Sequence, residues 1–416
     1  MYVLGINGGV RLGYQDTGAA LLLDGKLVAA VEEERINRVK FSPGQLPQLS
    51  IRSILELENI TIRDVDFLAS HGITWGNVYE KILRNYFEGE FGYCPPIERV
   101  HHHDAHAASA YYASGFNEAN IISMDGSGDG ISCEFAVGKD NNMEILERFD
   151  RPNSIGIFYS MITQYCGFTR DSDEYKLMGL SSYGDREKFD FSHILQFKEN
   201  QIVLNKEYIK NINPKEPQPT KQELIFSEKL ETEFGSKRFK NEELTKHYQD
   251  IAASAQAHVE KIIIDMVEYL YRKTGIKKLC LAGGVALNCA ANQKIMNLDF
   301  IDEFYVQPAS SDEGVAIGAA YLVGKKHGLK IYPMNSVYLG PEYTNDEIKK
   351  FLDVLNLDYN FEDDPSMYAA KKISNDKVVG WFQGRMEIGP RALGARSILA
   401  NPTNPSMRDI VNQKIK

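Results

Sequence analysis

The stretch that decides the fold is the first: Tyr2-Val3-Leu4-Gly5-Ile6-Asn7, a turn through Gly8, Gly9 and Gly13, then Ala19-Ala20-Leu21-Leu22-Leu23, Asp24-Gly25 and the run Lys26 to Val31. Short apolar runs bounded by glycines predict strands, and Asp-Gly between two of them predicts a tight hairpin. A strand, a glycine turn and a hairpin in that order suit a loop that cradles phosphate. Glu32-Glu33-Glu34-Arg35 follows, and a solvated charged edge accounts for it.

Downstream, strand texture alternates with helical periodicity. Leu46 to Leu57 predicts a helix, Val65 to Ser70 a buried strand, and another strand ends near Val100. Ile121-Ile122-Ser123-Met124 is an apolar strand that opens into Asp125-Gly126-Ser127-Gly128-Asp129-Gly130. The glycines of that acidic turn allow N–H groups to converge on an anion while Asp125 holds magnesium or orients a water; a plain hairpin explains it equally. Ser154 to Phe168 predicts a helix. Ile251, Ala255, Val259, Ile262, Met266 and Leu270 mark one buried stripe of a long helix closed by Gly275. Lys278 to Asn288 gives a strand, the pair Gly283-Gly284 and a new helix, an arrangement that lets a ligand approach the backbone. Phe304-Tyr305-Val306 is one more strand, and Asp312 and Glu313 open a helix where an acid is a favourable cap.

From about Asp185 to Lys246 the composition turns to Lys, Glu and Asn with few apolar clusters, which predicts an insertion or lid rather than core. Beyond Gly328, Pro333 and Pro341 mark a boundary, followed by helices at Asn345–Leu355 and Ser366–Ile373 and a strand at Val378–Phe382. Strands alternating with helices predict an α/β protein. A length of 416 residues predicts two or three domains. The net charge of −10 speaks against nucleic acid and anionic membrane as partners, because both reward a basic face. The N-terminus has no signal-peptide pattern and no apolar run reaches the ~20 residues that span a bilayer, so the chain reads as cytoplasmic. Five scattered cysteines, none spaced as CxxC, read as reduced thiols.

Four of the nine histidines lie in His101-His102-His103-Asp104-Ala105-His106, where the alanines favour a helix from about His103. His102 and His106 are four apart, so their imidazoles share a helix face at a separation suited to one metal ion. Two neutral nitrogens are a partial shell, and a divalent ion needs at least one carboxylate more. A helix terminus with one buried histidine is the alternative. Near the C-terminus, Arg385, Arg391 and Arg396 stand among glycines in a loop that could clamp phosphate bidentately or lie solvated.

These landmarks stand in one order: the N-terminal strand, turn and hairpin; His102 and His106; Asp125-Gly126-Ser127-Gly128; Lys176 with Met178-Gly179-Leu180; Gly283 to Asn288; Asp312; and Gly389-Pro390-Arg391-Ala392-Leu393-Gly394. Together they resemble the O-carbamoyltransferase family that includes the nodulation-factor, cephamycin and tobramycin carbamoyltransferases. The resemblance covers essentially the whole chain. Residues 1–330 are also similar to the metal-binding subunit that makes threonylcarbamoyladenosine on tRNA, which implies an actin/hexokinase-like (duplicated RNase H-like) domain with the 185–246 insertion, followed at 331–416 by part of a YrdC-like α/β domain.

The resemblance implies that carbamoyl phosphate and ATP yield a carbamoyl-adenylate in the YrdC-like domain. The carbamoyl group then passes to a hydroxyl of a small-molecule acceptor, a sugar or natural product. It implies His102, His106 and Asp312 as metal ligands, with iron(II) as the ion and magnesium as a further candidate. Asp125, Gly126, Ser127, Gly128, Asp129, Lys176, Gly283, Gly284 and Asn288 are the implied nucleotide contacts, and Lys40, Arg385, Arg391 and Arg396 the phosphate contacts. Where the family carries a His-Asp pair, this chain has Gln15-Asp16. Glutamine cannot accept a proton, so either Asp16 is the catalytic base or the acceptor differs. The family continues well past the position of Lys416, so only the opening of the YrdC-like domain is expected here. A non-catalytic nucleotide-binding module and a tRNA-modifying transferase are the competing functions, and a second copy of the chain stands among the candidate partners.

Overall fold

The computed structural model describes residues 1–9, 16–212 and 220–415. Gly13 and Gln15 lie outside the described residues. β1 (Tyr2–Asn7), β2 (Gly18–Leu23) and β3 (Lys26–Glu32) form an antiparallel meander, joined through β1 by the parallel strands β4 (Phe67–Ser70) and β5 (Ile97–Arg99). Asp24 and Gly25 both take positive φ, as the β2–β3 hairpin requires. The second half repeats the scheme. β6 (Glu118–Gly128), β7 (Ile131–Lys139) and β8 (Asn142–Asp150) form a meander; after a hairpin of β9 (Leu195–Lys198) and β10 (Gln201–Leu204), the strands β11 (Lys278–Ala282) and β12 (Glu303–Val306) join β6 in parallel.

Read from the meander edge, both sheets have the order third-second-first-fourth-fifth. That duplication is the actin/hexokinase-like arrangement. The two sheets are tied by a pair of helices, His102–Ser114 and Glu313–Lys326, whose facing surfaces are small: Ala105, Ala108, Val315, Ala316, Ala319 and Ala320 are all buried. Glycine is required at the closest approach. A methyl on Gly318 would stand 2.5 Å from the carbonyl carbon of Ala105 and nearer still to its oxygen. The long helix Lys246–Thr274 covers the second sheet with the predicted stripe inward and Gly275 as its left-handed cap.

Two expectations are corrected. Asp125 to Gly128 is the end of β6 rather than a turn, and the turn is Asp129-Gly130, both at positive φ. The 185–246 stretch is not excluded from the core: Phe191, Ile194, Leu195, Tyr208, Phe226 and Phe234 are buried in the cluster beneath the second sheet. Its apolar side chains are spaced singly along the sequence and converge only in three dimensions.

The C-terminal segment docks along β3. Tyr332 N–H donates to Gly25 and Ala30 N–H to Leu339, and Gly389 N–H donates to the buried carboxylate of Glu32. Beyond it lie helices Asn345–Val354 and Pro365–Ser374, the antiparallel pair β13 (Val379–Phe382) and β14 (Arg396–Leu399), and helix Met407–Ile415. Of the apolar residues in the first two helices only Ala369 is buried, while Phe351 and Val354 are exposed. Among the described residues, no helix is long and apolar enough to cross a membrane.

Candidate metal centre

The predicted helix starts at His102, with His101 capping it through a bond from His103 N–H to its imidazole. His102 N–H donates to Asp129 Oδ2 (2.9 Å), which fixes the first turn against the β6–β7 corner. His102 and His106 are buried, and their Nε2 atoms converge to 3.0 Å. Two carboxylates close the set. Asp312 Oδ1 is 3.4 Å from both Nε2 atoms, and Asp125 Oδ2 is 3.3 Å from His102 and 3.8 Å from His106.

Donors about 2.0–2.2 Å from a common tetrahedral centre lie about 3.3–3.6 Å from one another. The observed separations of 3.0–3.8 Å bracket that range. Asp312 Oδ1 is buried with no hydrogen-bond partner, an acceptor that a cation would satisfy. The residues present therefore fit a divalent ion with N and O ligands. Asp125, read from the sequence as a magnesium or water ligand and by resemblance as a nucleotide contact, is brought to the metal set.

The electrostatics are those of a cation site. Burial disfavours the charged imidazole of His106, but Asp125 and Asp312 outweigh it and raise its pKa to about 9. Burial likewise opposes ionisation of Asp125, yet the hydrogen bonds from His102 and His106 hold it well below the usual carboxylate range. Behind the ligands, buried His71 packs its Nδ1 3.4 Å from His102 Nδ1, and burial, reinforced by the His102 charge, pushes its pKa down to about 3. His103 bonds Ser123 Oγ (2.7 Å) and faces away from the set. The other cluster of candidate ligands, His101, Asp104 and Glu134, already holds a cation: Arg148 bonds both Asp104 and Glu134.

Asp16 lies next to this centre. Its carboxylate accepts from Ser311 Oγ (2.7 Å), its N–H donates to Phe41 (2.9 Å), and its own carbonyl is held by Asn7. Burial, then the charge of Asp312, raises its pKa to about 7. Lys40 lies nearby, its ammonium 4.6 Å from the Phe41 ring and 5.2 Å from that of Tyr175; Lys176, paired with Asp173, lies 5.7 Å from the same Tyr175 ring.

The glycine turn after β11 fits closely under β6. A side chain on Gly283 would stand 2.5 Å from the carbonyl carbon of Met124, and one on Gly284 2.9 Å from Asp125 Oδ1. At Gly126 the equivalent space is open, whereas at Gly128 it is filled by the His102 ring. Ser127 is half-buried between them.

Four of the residues expected at the ligand are engaged within the protein. Asn288 commits its amide to Gln256 and to the N–H of Ala291, as the cap of helix Cys289–Met296. Asp129 is bound by His102 N–H, Gly72 N–H and Thr74. Arg385 donates from Nε to Gly340 and from Nη2 to Val28 and Leu339, which ties the C-terminal segment to β3. Arg396 donates to Gly389 beside Arg35, Glu32 and Glu387, a clasp of fixed charges. Arg391 is the exposed one of the three, and its 3.4 Å contact with the Leu287 carbonyl lays the Gly389–Gly394 loop against the Gly283–Asn288 turn.

Comparison with known proteins follows the geometry. The sequence profile described as Carbamoyltransferase N-terminus matches residues 75–321, and that described as Carbamoyltransferase C-terminus matches 370–416. Protein sll1178 of Synechocystis is 34% identical over 98% of this chain and 73% of its own length. Nodulation protein NolNO of Sinorhizobium fredii is 33% identical over the whole chain and 64% of its own length. Among solved structures, full-length HypF in the phosphate- and nucleotide-bound form aligns over 80% of this chain and 47% of its own, with 15% identity and a TM-score of 0.44.

Proposed function

Since this chain belongs to the carbamoyltransferase family, and is thereby a transferase, we propose that it moves a carbamoyl group from a carbamoyl-adenylate, made from carbamoyl phosphate and ATP, to the hydroxyl of a small sugar-like or natural-product acceptor in the cleft between the two sheets. The observation that carries this reading is Asp16: a carboxylate with a pKa of about 7, oriented by Ser311, beside four convergent metal donors. In this reading residues 1–330 are the transfer domain, with 185–246 as an insertion that joins its core, and 331–416 opens a YrdC-like domain in which the adenylate forms. The supply of ATP and carbamoyl phosphate places the reaction in the cytoplasm, and the charge of −10 favours a small acceptor over nucleic acid.

His102, His106, Asp125 and Asp312 would hold the divalent ion, iron(II) in this reading, which supplies Lewis-acid polarisation of the carbamoyl carbonyl and charge neutralisation at the adenylate phosphate. Asp16 takes the proton of the acceptor hydroxyl through a carboxylate oxygen. The freed oxygen bonds the carbamoyl carbon, the bond from that carbon to the phosphate oxygen breaks, and AMP leaves with the electron pair. A base whose pKa lies near 7 is matched to that task. Lys40 and Arg391 offer unpaired cations at the rim for the phosphate, and Gly126, Ser127, Gly283 and Gly284 a backbone surface close enough for the nucleotide.

The test supplies radiolabelled carbamoyl-adenylate and iron(II) with a panel of hydroxyl acceptors, comparing the wild-type chain with Asp16→Asn and His102→Ala. Labelled carbamate ester is expected from wild type. A loss of about 10²–10⁴-fold is expected in Asp16→Asn, with retained iron(II) binding in that variant alone. Undiminished transfer by Asp16→Asn would reject Asp16 as the base, and no transfer from supplied carbamoyl-adenylate would reject the activity.

A further inference from the structure

Lys221 belongs to the 185–246 stretch, read from the sequence as an insertion or lid rather than core. It nevertheless reaches the cleft. Its ammonium lies 5.0 Å from the centre of the Phe41 ring, the same ring that Lys40 approaches at 4.6 Å, and Phe41 is the residue whose carbonyl receives the N–H of Asp16. Lys221 donates to the backbone carbonyl of Asp171 (2.9 Å). The neighbouring carboxylates are engaged elsewhere: Asp171 by Arg170 and Ser160, Glu174 by Ser160 Oγ and the N–H groups of Asp171 and Ser172, and Asp16 by Ser311.

Among the described residues, then, two ammoniums approach one aromatic ring beside Asp16 and neither has a carboxylate within ion-pair distance. Lys221 is partly buried and Lys40 exposed, so an anion seated by the ring would meet one cation from the protein side and one from the solvent side. Burial works against protonation of Lys221, the charges of Asp171, Asp16 and Glu174 favour it, and the nearby Lys40 charge opposes it. Both ammoniums lie within cation–π reach of the Phe41 ring, which favours their charged forms.

We infer that Lys221 and Lys40 form a two-lysine clamp for a phosphoryl group of a substrate, so that the 185–246 stretch takes part in substrate binding. The inference rests on the carbamoyl-transfer reading only for which substrate carries the phosphate. A nucleotide donor and a phosphorylated sugar acceptor present the same chemistry to the clamp, and the experiment separates them.

The probes are inorganic phosphate, AMP and glucose 6-phosphate, titrated into the full chain by calorimetry while acetylation of Lys40 and Lys221 is followed by mass spectrometry. Bound phosphate is expected to protect both lysines. Lys221→Gln should weaken its binding about tenfold, the size of one lost charge-assisted contact, and Lys221→Arg should restore most of it. A control change on the outer face of the long helix, Lys261→Gln, should leave binding as it is. Protection by AMP alone assigns the clamp to the donor, and protection by glucose 6-phosphate alone assigns it to the acceptor. Absence of protection by all three probes, or unchanged binding in Lys221→Gln, overturns the clamp. Loss of the carbamoyl-transfer reading would leave phosphate protection standing, so the two failures are distinguishable, and protection measured on the wild-type chain holds even if Lys221→Gln folds poorly.

Discussion

Replacing Gly318 with alanine tests whether the contact between the His102–Ser114 and Glu313–Lys326 helices sets the metal donors. The added methyl would stand 2.5 Å from the Ala105 carbonyl carbon and 2.9 Å from its Cα, both backbone atoms. Non-bonded carbons rest at about 3.5 Å, so the helices must part by roughly 1 Å. No side-chain rotation can relieve this, which puts the destabilisation toward the upper end of the ~1–3 kcal/mol typical of overpacking. The same movement carries His102 and His106 away from Asp312, now 3.4 Å from each. Metal sites tolerate about 0.2 Å in ligand distance, so a shift several times larger should weaken ion binding more than tenfold. Cobalt(II), titrated against a competing chelator and followed by its visible absorption, reports affinity and ligand field together, and calorimetry reports the melting temperature. A Gly318→Ala chain that melts lower but binds cobalt(II) like wild type would refute the link between helix packing and the donor set.

Asp16 gives a prediction in pH. Burial first, then the charge of Asp312, raises its pKa from 3.8 to about 7 in the folded chain. The stabilisation this gives is fully present below pH 3.8 and is lost as pH rises through about 7, because the folded state keeps a proton that the unfolded state releases. Metal-free Asp16→Asn should therefore gain in melting temperature over wild type on going from pH 4 to pH 8; parallel pH profiles for the two chains would refute the assignment. Arg385 and Arg391 should separate structure from binding. Arg385→Gln, which removes donors from Val28, Leu339 and Gly340, should cost about 1–3 kcal/mol and speed hydrogen exchange at Ala30. Nucleotide affinity should stay the same in that variant. Arg391→Ala should weaken ATP binding at unchanged melting temperature, and the opposite pattern would return Arg385 to the phosphate.

Much of the fold was legible because it is written in short-range patterns. Apolar runs punctuated by glycine located all five strands of the first sheet, and a spacing of four placed His102 and His106 on one helix face. What escaped depends on distant partners. Phe191, Tyr208, Phe226 and Phe234 stand singly in polar surroundings, and only tertiary packing makes them core. An arginine among glycines reads the same whether its fork meets phosphate or three carbonyls, and Arg385 took the carbonyls. Asp312 came from family resemblance, because no local pattern links a helix cap to histidines some two hundred residues earlier.

The four donors come from both halves of the duplication: His102 and His106 from the helix that follows the first sheet, Asp125 from the first strand of the second, and Asp312 from the helix after its last strand. An ion held by all four is a tether across the seam of the molecule. Its occupancy and the gape of the cleft then become one equilibrium, so that prying the halves apart lowers affinity for the ion, and withdrawing the ion loosens the hinge by the same free energy.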